Sequence, residues 1–197
     1  MDEKHSKSTD NRSNILACAL RLFASYGYDS VGDQTIVETA GVTKPTLYYY
    51  FKSKRGLLKA LLEEHFERLY TMLKPATAYH GDLSLSLNSV TTAYFHLARE
   101  HPDFFRLQAS LYFAPPEHEG HKMAIRFQER EFGLVKKLFV RAVKDYRDLK
   151  GHEDYCTATF MGMVDNWTSL ALNGYAELDS TLVHQTVHQF LYGIFSK

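Results

Sequence analysis

From residue 11 onward, apolar side chains recur every three or four residues, and this period constrains the fold more than any other feature. Such a repeat gives each helix one apolar stripe to bury, so the chain reads as all-α. Ile15, Leu16, Ala19, Leu20 and Phe23 form the first stripe, over 11–26, with Asp10 or Asn11 as cap and Gly27 at its end. A short helix fits 33–40 on Ile36, Val37 and Ala40, and a third starts at Lys44 or Pro45 with Leu47 and Phe51 as its apolar positions. Ser53 caps a longer helix over 54–74, and Pro75 closes it before a linker at 75–82. Five further helices are expected over 83–101, 103–113, 120–148, 153–173 and 180–195, about nine in all. Leu83, Leu85 and Leu87 alternate with serine as in a strand, but Val90, Tyr94 and Leu97 restore helical spacing.

Length and composition narrow the class. With 197 residues, 45% apolar and 23% charged, the chain can bury a sizeable core and is not disordered as a whole. Cys18 and Cys156 are too few to staple such a fold. The polar start (MDEKHSKSTDNRSN) has no apolar core of a signal, and no stretch approaches 18 uninterrupted apolar residues. A reducing cytoplasm, with no membrane partner, is the expected setting.

Lys plus Arg and Asp plus Glu balance at 23 each, which at first argues against a nucleic-acid partner. Binding faces are local, however. Residues 11–60 carry seven basic and three acidic side chains, and 44–59 hold five basic and none acidic. Residues 61–197 carry 14 basic and 17 acidic. A basic unit is joined to a mildly acidic one.

The basic unit contains a recognisable pattern. A short helix, Gly41-Val42-Thr43, then a second helix after Lys44-Pro45 is the spacing of a helix-turn-helix over 34–53. In that arrangement one helix braces on the DNA backbone while the next enters the major groove. Tyr48, Tyr49 and Tyr50 stand beside buried Leu47 and Phe51, and phenols suit phosphate oxygens and thymine methyls. Lys54 brings a charge to the start of the next helix.

The run from Ala40 to Lys54 (AGVTKPTLYYYFKSK) strongly resembles the DNA-binding motif of the TetR family of transcriptional regulators. Ile15-Leu16, Ala19, Leu22-Phe23, Gly27-Tyr28 and Leu57-Leu58 extend the likeness over about 11–72. The resemblance implies a homodimer on a palindromic double-stranded DNA operator, with a larger helical domain for dimerisation and a small effector. It implies domains at 8–53 (helix-turn-helix), 54–74 (connecting helix) and 75–197 (effector binding and dimerisation). Base contacts map onto Lys44, Pro45 and Tyr48, and phosphate contacts onto Thr43, Thr46, Tyr49, Lys54, Gln34 and Thr35. One departure is Val31-Gly32-Asp33, where such proteins commonly carry hydroxyl residues. Asp33 favours the helix dipole but would repel phosphate, so it is left out of the contact set.

Other constellations are less specific. His118, Glu119 and His121 lie in one loop, and His184 and His188 are one turn apart, but neither has a full set of metal ligands. No metal and no cofactor is expected. Tyr94, Phe105, Phe113, Phe127 and Trp167 could line a cavity for a small apolar or amphipathic effector, with Asp165 or Asn166 as polar anchor. Ala158 and Gly162, four apart, permit close helix approach, and Val183, Val187, Phe190, Leu191 and Ile194 add an apolar face for the dimer. A regulator, most naturally a repressor released by its effector, is the leading reading. A helical enzyme with an aromatic cleft lacks any catalytic spacing, and an architectural DNA-binding protein without effector stays open.

Overall fold

The computed structural model describes residues 2–193, with side chains from Asp10. It contains α1 (Asp2–Tyr26), α2 (Asp33–Ala40), α3 (Lys44–Phe51), α4 (Lys54–Ala76), α5 (Leu83–Glu100), α6 (Pro102–Tyr112), α7 (Glu119–Ala142), α8 (Glu153–Leu172) and α9 (Ser180–Tyr192). A short 3-10 turn at Arg147–Leu149 lies between α7 and α8. There is no strand among the described residues. The fold is all-α, as the periodicity requires.

Three boundaries differ from the sequence reading. α1 already begins at Asp2, so Asp10 and Asn11 lie within it and cap nothing. No glycine or proline interrupts the chain before Gly27. α4 continues one residue past Pro75, which sits in its last turn. α7 ends at Ala142, and 143–150 is turn and 3-10 helix.

The chain divides into two compact units. The first runs through Phe66 and takes in Asp103–Ile125; the second is Glu67–Pro102 with Arg126 onward. Residues 103–125, which the resemblance assigns to the effector-binding domain, therefore cluster with the helix-turn-helix. The reason is local packing: Phe104 stacks on His65 at 4.8 Å and meets Phe66 edge-on at 5.1 Å. α4 changes unit at Glu67 and α7 at Arg126.

In the first unit Ile15, Ala19 and Phe23 of α1, Ile36 of α2, Leu47 of α3 and Leu57, Leu58 and Leu62 of α4 are fully buried. Ala19 apart, each contributes about 2 kcal/mol on leaving water. In the second unit α5 packs on α8 and α9, and α8 on α9. Phe139, Phe160 and Phe190 close a ring cluster at 5.3–6.3 Å. The Arg99 guanidinium donates to the Leu178 carbonyl and ties α5 to the loop before α9.

Candidate nucleic-acid interface

Asn14 of α1 donates to the Ala40 carbonyl at 2.7 Å, fastening the end of α2. Gly41 then takes the left-handed conformation (φ 63°), the Val42 amide bonds the Val37 carbonyl at 3.0 Å, and the Gly41 amide bonds Glu38. This satisfies the last carbonyls of α2 and reverses the chain in three residues. Thr43 caps α3, its hydroxyl accepting from the Thr46 amide at 3.4 Å and bonding the Thr46 hydroxyl at 2.9 Å. Leu47 and Phe51 hold α3 down. Because they lie four apart, the residues between them are turned outward: Tyr48 and Tyr49 are 39% and 71% exposed.

Of the residues mapped for DNA contact, Gln34, Thr35, Thr43, Lys44, Pro45, Tyr48 and Tyr49 are exposed, and Thr46 and Lys54 are half-buried. They belong to α2, the turn, α3 and the first residue of α4, all in the first unit. Gln34 donates to Glu38 at 2.6 Å. Lys54 reaches the Asp29 carbonyl at 3.4 Å and lies 4.3 Å over the Tyr28 ring.

Asp33, set aside at the sequence level, has a definite partner. The Tyr48 hydroxyl donates to Asp33 Oδ2 at 2.6 Å, joining the first turn of α2 to the middle of α3. That bond and the carboxylate charge raise the Tyr48 pKa. The fifteen-residue separation hides the pair from any local pattern. Gly32, at the N-cap, offers no side-chain cap to α2, so Asp33 carries the acidic group of its first turn.

The loop before α7 meets the same unit. Tyr28 donates to Glu119 at 2.5 Å, His118 Nε2 lies 2.7 Å from Asp29 Oδ2, and Arg55 stands 3.9 Å from Glu119. Burial and the Glu119 bond raise the Tyr28 pKa. His121 Nδ1 turns instead to the Leu111 and Tyr112 carbonyls, both at 3.1 Å. The two histidines thus serve different partners.

The effector candidates do not gather in one unit. Phe105 and Phe113 belong to the first, whereas Tyr94, Phe127, Asp165, Asn166 and Trp167 belong to the second. Phe105 is buried and Phe113 is 83% exposed beside Tyr112. Tyr94 is a core residue of α5. Burial pushes the Asp165 carboxyl up to about 6.

Of the dimer candidates, Ala158 and Gly162 share the exposed face of α8, with open space where a Gly162 side chain would stand. Val183 and Val187 are buried inside the protomer, where α9 packs on α5 and α8, and so offer nothing to a partner. Phe190 and Leu191 are half-buried, and Ile194 lies outside the described residues. The outward face of α9 is instead polar, with His184, Gln185 and His188.

A short outward helix braced across a glycine turn on the preceding one is the geometry of a helix-turn-helix. Residues 15–61 match the sequence profile of bacterial regulatory proteins of the tetR family. The transcriptional activator FasR of Mycolicibacterium smegmatis is 31% identical over 98 residues, 50% of this chain and 45% of that protein. The transcriptional repressor NemR of Escherichia coli is 30% identical over 96 residues, 47% of this chain and 48% of that protein. The chain thus aligns with about half the length of these curated relatives. A solved structure of the regulator FadR from Bacillus subtilis, in complex with stearoyl-CoA, superposes with a TM-score of 0.76 at 18% identity, covering 92% of this chain and 98% of that one. Residues 15–61 thus resemble the DNA-binding region of the tetR family, and the chain shares the all-helical fold of that solved regulator, an N-terminal helix-turn-helix followed by a C-terminal helical domain. No helix among the described residues is long and apolar enough to cross a membrane.

Proposed function

We propose that this chain is a homodimeric regulator that binds a palindromic operator through α3 and leaves it when a small molecule occupies the second unit. The observation that carries the reading is the exposed row Lys44, Pro45, Tyr48 and Tyr49 on a helix whose other side is locked by Leu47 and Phe51. Lys44, Pro45 and Tyr48 read bases, while Gln34, Thr35, Thr43, Thr46, Tyr49 and Lys54 hold phosphates. The Tyr48–Asp33 bond fixes the phenol before DNA arrives, so less side-chain freedom is lost on binding.

Repressor or activator is a matter of where the operator lies, and the curated relatives include both kinds by name. Repression is the simpler case, since occupying a promoter suffices. Dimerisation through the exposed faces of α8 and α9, with Ala158 and Gly162 allowing close approach, sets the two α3 helices one DNA turn apart, about 34 Å. An effector favours a spacing that no longer matches successive major grooves, a population shift carried by α4 and α7, which belong to both units. The functional division remains 8–53, 54–74 and 75–197, in a cytoplasmic protein with no catalytic role.

The test is operator selection from random duplexes, followed by binding with Tyr48→Ala. The variant is expected to keep its helicity and oligomeric state and to lose the selected site. Unchanged affinity would refute the assignment of α3.

A further inference from the structure

We propose that Asp33 is a positioning residue for sequence recognition: it takes the Tyr48 hydroxyl hydrogen, so the phenol oxygen can only accept and reads an exocyclic amino group, adenine N6 or cytosine N4, in the major groove. This rests on the reading of α3 as the recognition helix and names the chemistry of one of its contacts.

The bond is carried by two packed elements. Asp33 is the first residue of α2, Tyr48 lies in the middle of α3, and the phenol donates to Asp33 Oδ2 at 2.6 Å. Ile36 and Val37 bury α2, while Leu47 and Phe51 bury α3, all within the first unit. A carboxylate has lone pairs and no hydrogen to give, so the hydrogen in this bond comes from the phenol. The bond itself, and then the Asp33 charge, raise the Tyr48 pKa, which keeps that hydrogen on the phenol.

Asp33 has no oxygen left over for DNA. Its Oδ2 is taken by the phenol, and its Oδ1 is buried without a partner among the described residues. Tyr48 is 39% exposed on the outward side of α3, and its oxygen keeps unused acceptor capacity. The phenol oxygen is therefore what this pair presents to a ligand.

An oxygen restricted to accepting discriminates among the groups of a duplex. Phosphate oxygens, purine N7, guanine O6 and thymine O4 are acceptors and give it no hydrogen bond, whereas the adenine and cytosine amino groups are the major-groove donors. A phosphate approaching the phenol would also meet the Asp33 charge. Tyr49 is the contrast. It is 71% exposed, and no carboxylate holds its hydroxyl among the described residues, so its hydrogen suits a phosphate oxygen. One acidic side chain thus divides two adjacent tyrosines between base and backbone.

The test deletes single atoms from an operator selected with the full-length protein. Purine for adenine and pyrimidin-2-one for cytosine remove amino groups. Deazapurines remove N7, 2-aminopurine for guanine removes O6, 5-methylpyrimidin-2-one for thymine removes O4, and methylphosphonates remove phosphate oxygens. Affinities are measured for the wild type, Tyr48→Phe and Asp33→Ala, with Asp33→Leu as a second variant of similar side-chain size and circular dichroism as the check on folding. In the wild type, deleting one amino group per half-site is expected to weaken binding about three- to tenfold. Tyr48→Phe is expected to bind that duplex and its parent within about twofold. A transition at the same base pair, A·T to G·C or C·G to U·A, puts a carbonyl oxygen where the amino group stood. It is expected to cost the wild type more than the deletion does, and to cost Asp33→Ala or Asp33→Leu less than about threefold, because the freed hydroxyl donates to that carbonyl. The proposal is overturned if the deletion coupled to Tyr48 is N7, a carbonyl oxygen or a phosphate oxygen, if no deletion is coupled to it, or if the folded Asp33 variants keep the wild-type penalty for the transition. Tyr48→Ala separates the two readings. If it loses the operator while Tyr48 couples to an acceptor or a phosphate, α3 stands as the recognition helix and the role of Asp33 falls. If it keeps the operator, recognition through Tyr48 falls with it.

Discussion

Lys52 is the only non-glycine residue with positive φ among those described, at 65°. It ends α3, and the chain must turn from there into α4 within two residues. A side chain in that conformation costs about 1–2 kcal/mol, which Lys52→Gly removes. Glycine also loses more freedom on folding, an opposing cost of about 0.5–1 kcal/mol. The net expectation is a gain of about 0.5–1 kcal/mol, or a rise of about 1–4 °C for a chain of this size. Lys52→Ala is the control, because it removes the same charge and the same Nζ contact to the Tyr49 carbonyl but keeps the Cβ. Urea unfolding of the two variants should show a higher midpoint for glycine with the slope unchanged. Any change in DNA affinity due to the lost charge should be common to both. If the glycine variant is no more stable than the alanine variant, the turn is not strained and the reasoning fails.

The same turn makes a second prediction, because a Cβ at Gly56 would overlap the Phe51 backbone carbonyl. Gly56→Ala is expected to destabilise the first unit by about 1–3 kcal/mol, and circular-dichroism melts check it; a neutral effect would show that α4 can start further from α3. A third concerns pH: burial and the neighbouring Asp165 hold the Glu131 pKa well above the usual carboxylate range, and burial holds Asp165 at about 6. The folded chain therefore keeps protons that the unfolded chain, with carboxyls near 4, has lost. These groups are least unfavourable below about pH 4, and stability falls as pH rises through about 6 and beyond. Glu131→Gln should match the wild type at low pH and melt higher at pH 8; a lower melting temperature at pH 8 would contradict a buried, unpaired carboxylate.

The helices and the recognition motif were legible because their signals are local. An apolar residue every three or four positions, Gly41 at a reversal and Pro45 in a first turn act over a few residues, whatever surrounds them. The same locality explains the errors at Asp10, Pro75 and the end of α7, since capping residues are common and only some are used. Glu131 carries no local signal on its amphipathic helix, and it is burial first, then the charge of Asp165, that makes it unusual.

What the sequence by itself determined is the class: helical throughout, with a basic helix-turn-helix that local spacing nearly specifies. Tertiary structure decided which faces are inward. It buried Val183 and Val187 against α5 and α8 rather than leaving them for a partner. It joined Tyr48 to Asp33 and Asp29 to His118 across fifteen and 89 residues. It also buried Glu131 of α7, a charge that no local pattern marks as inward. The physical reason is that a helix stripe says only that something must cover it, while the covering surface is chosen by distant segments. Charge follows the same rule: its balance is read from the chain, but its meaning depends on which groups the fold brings within a few ångströms and removes from water.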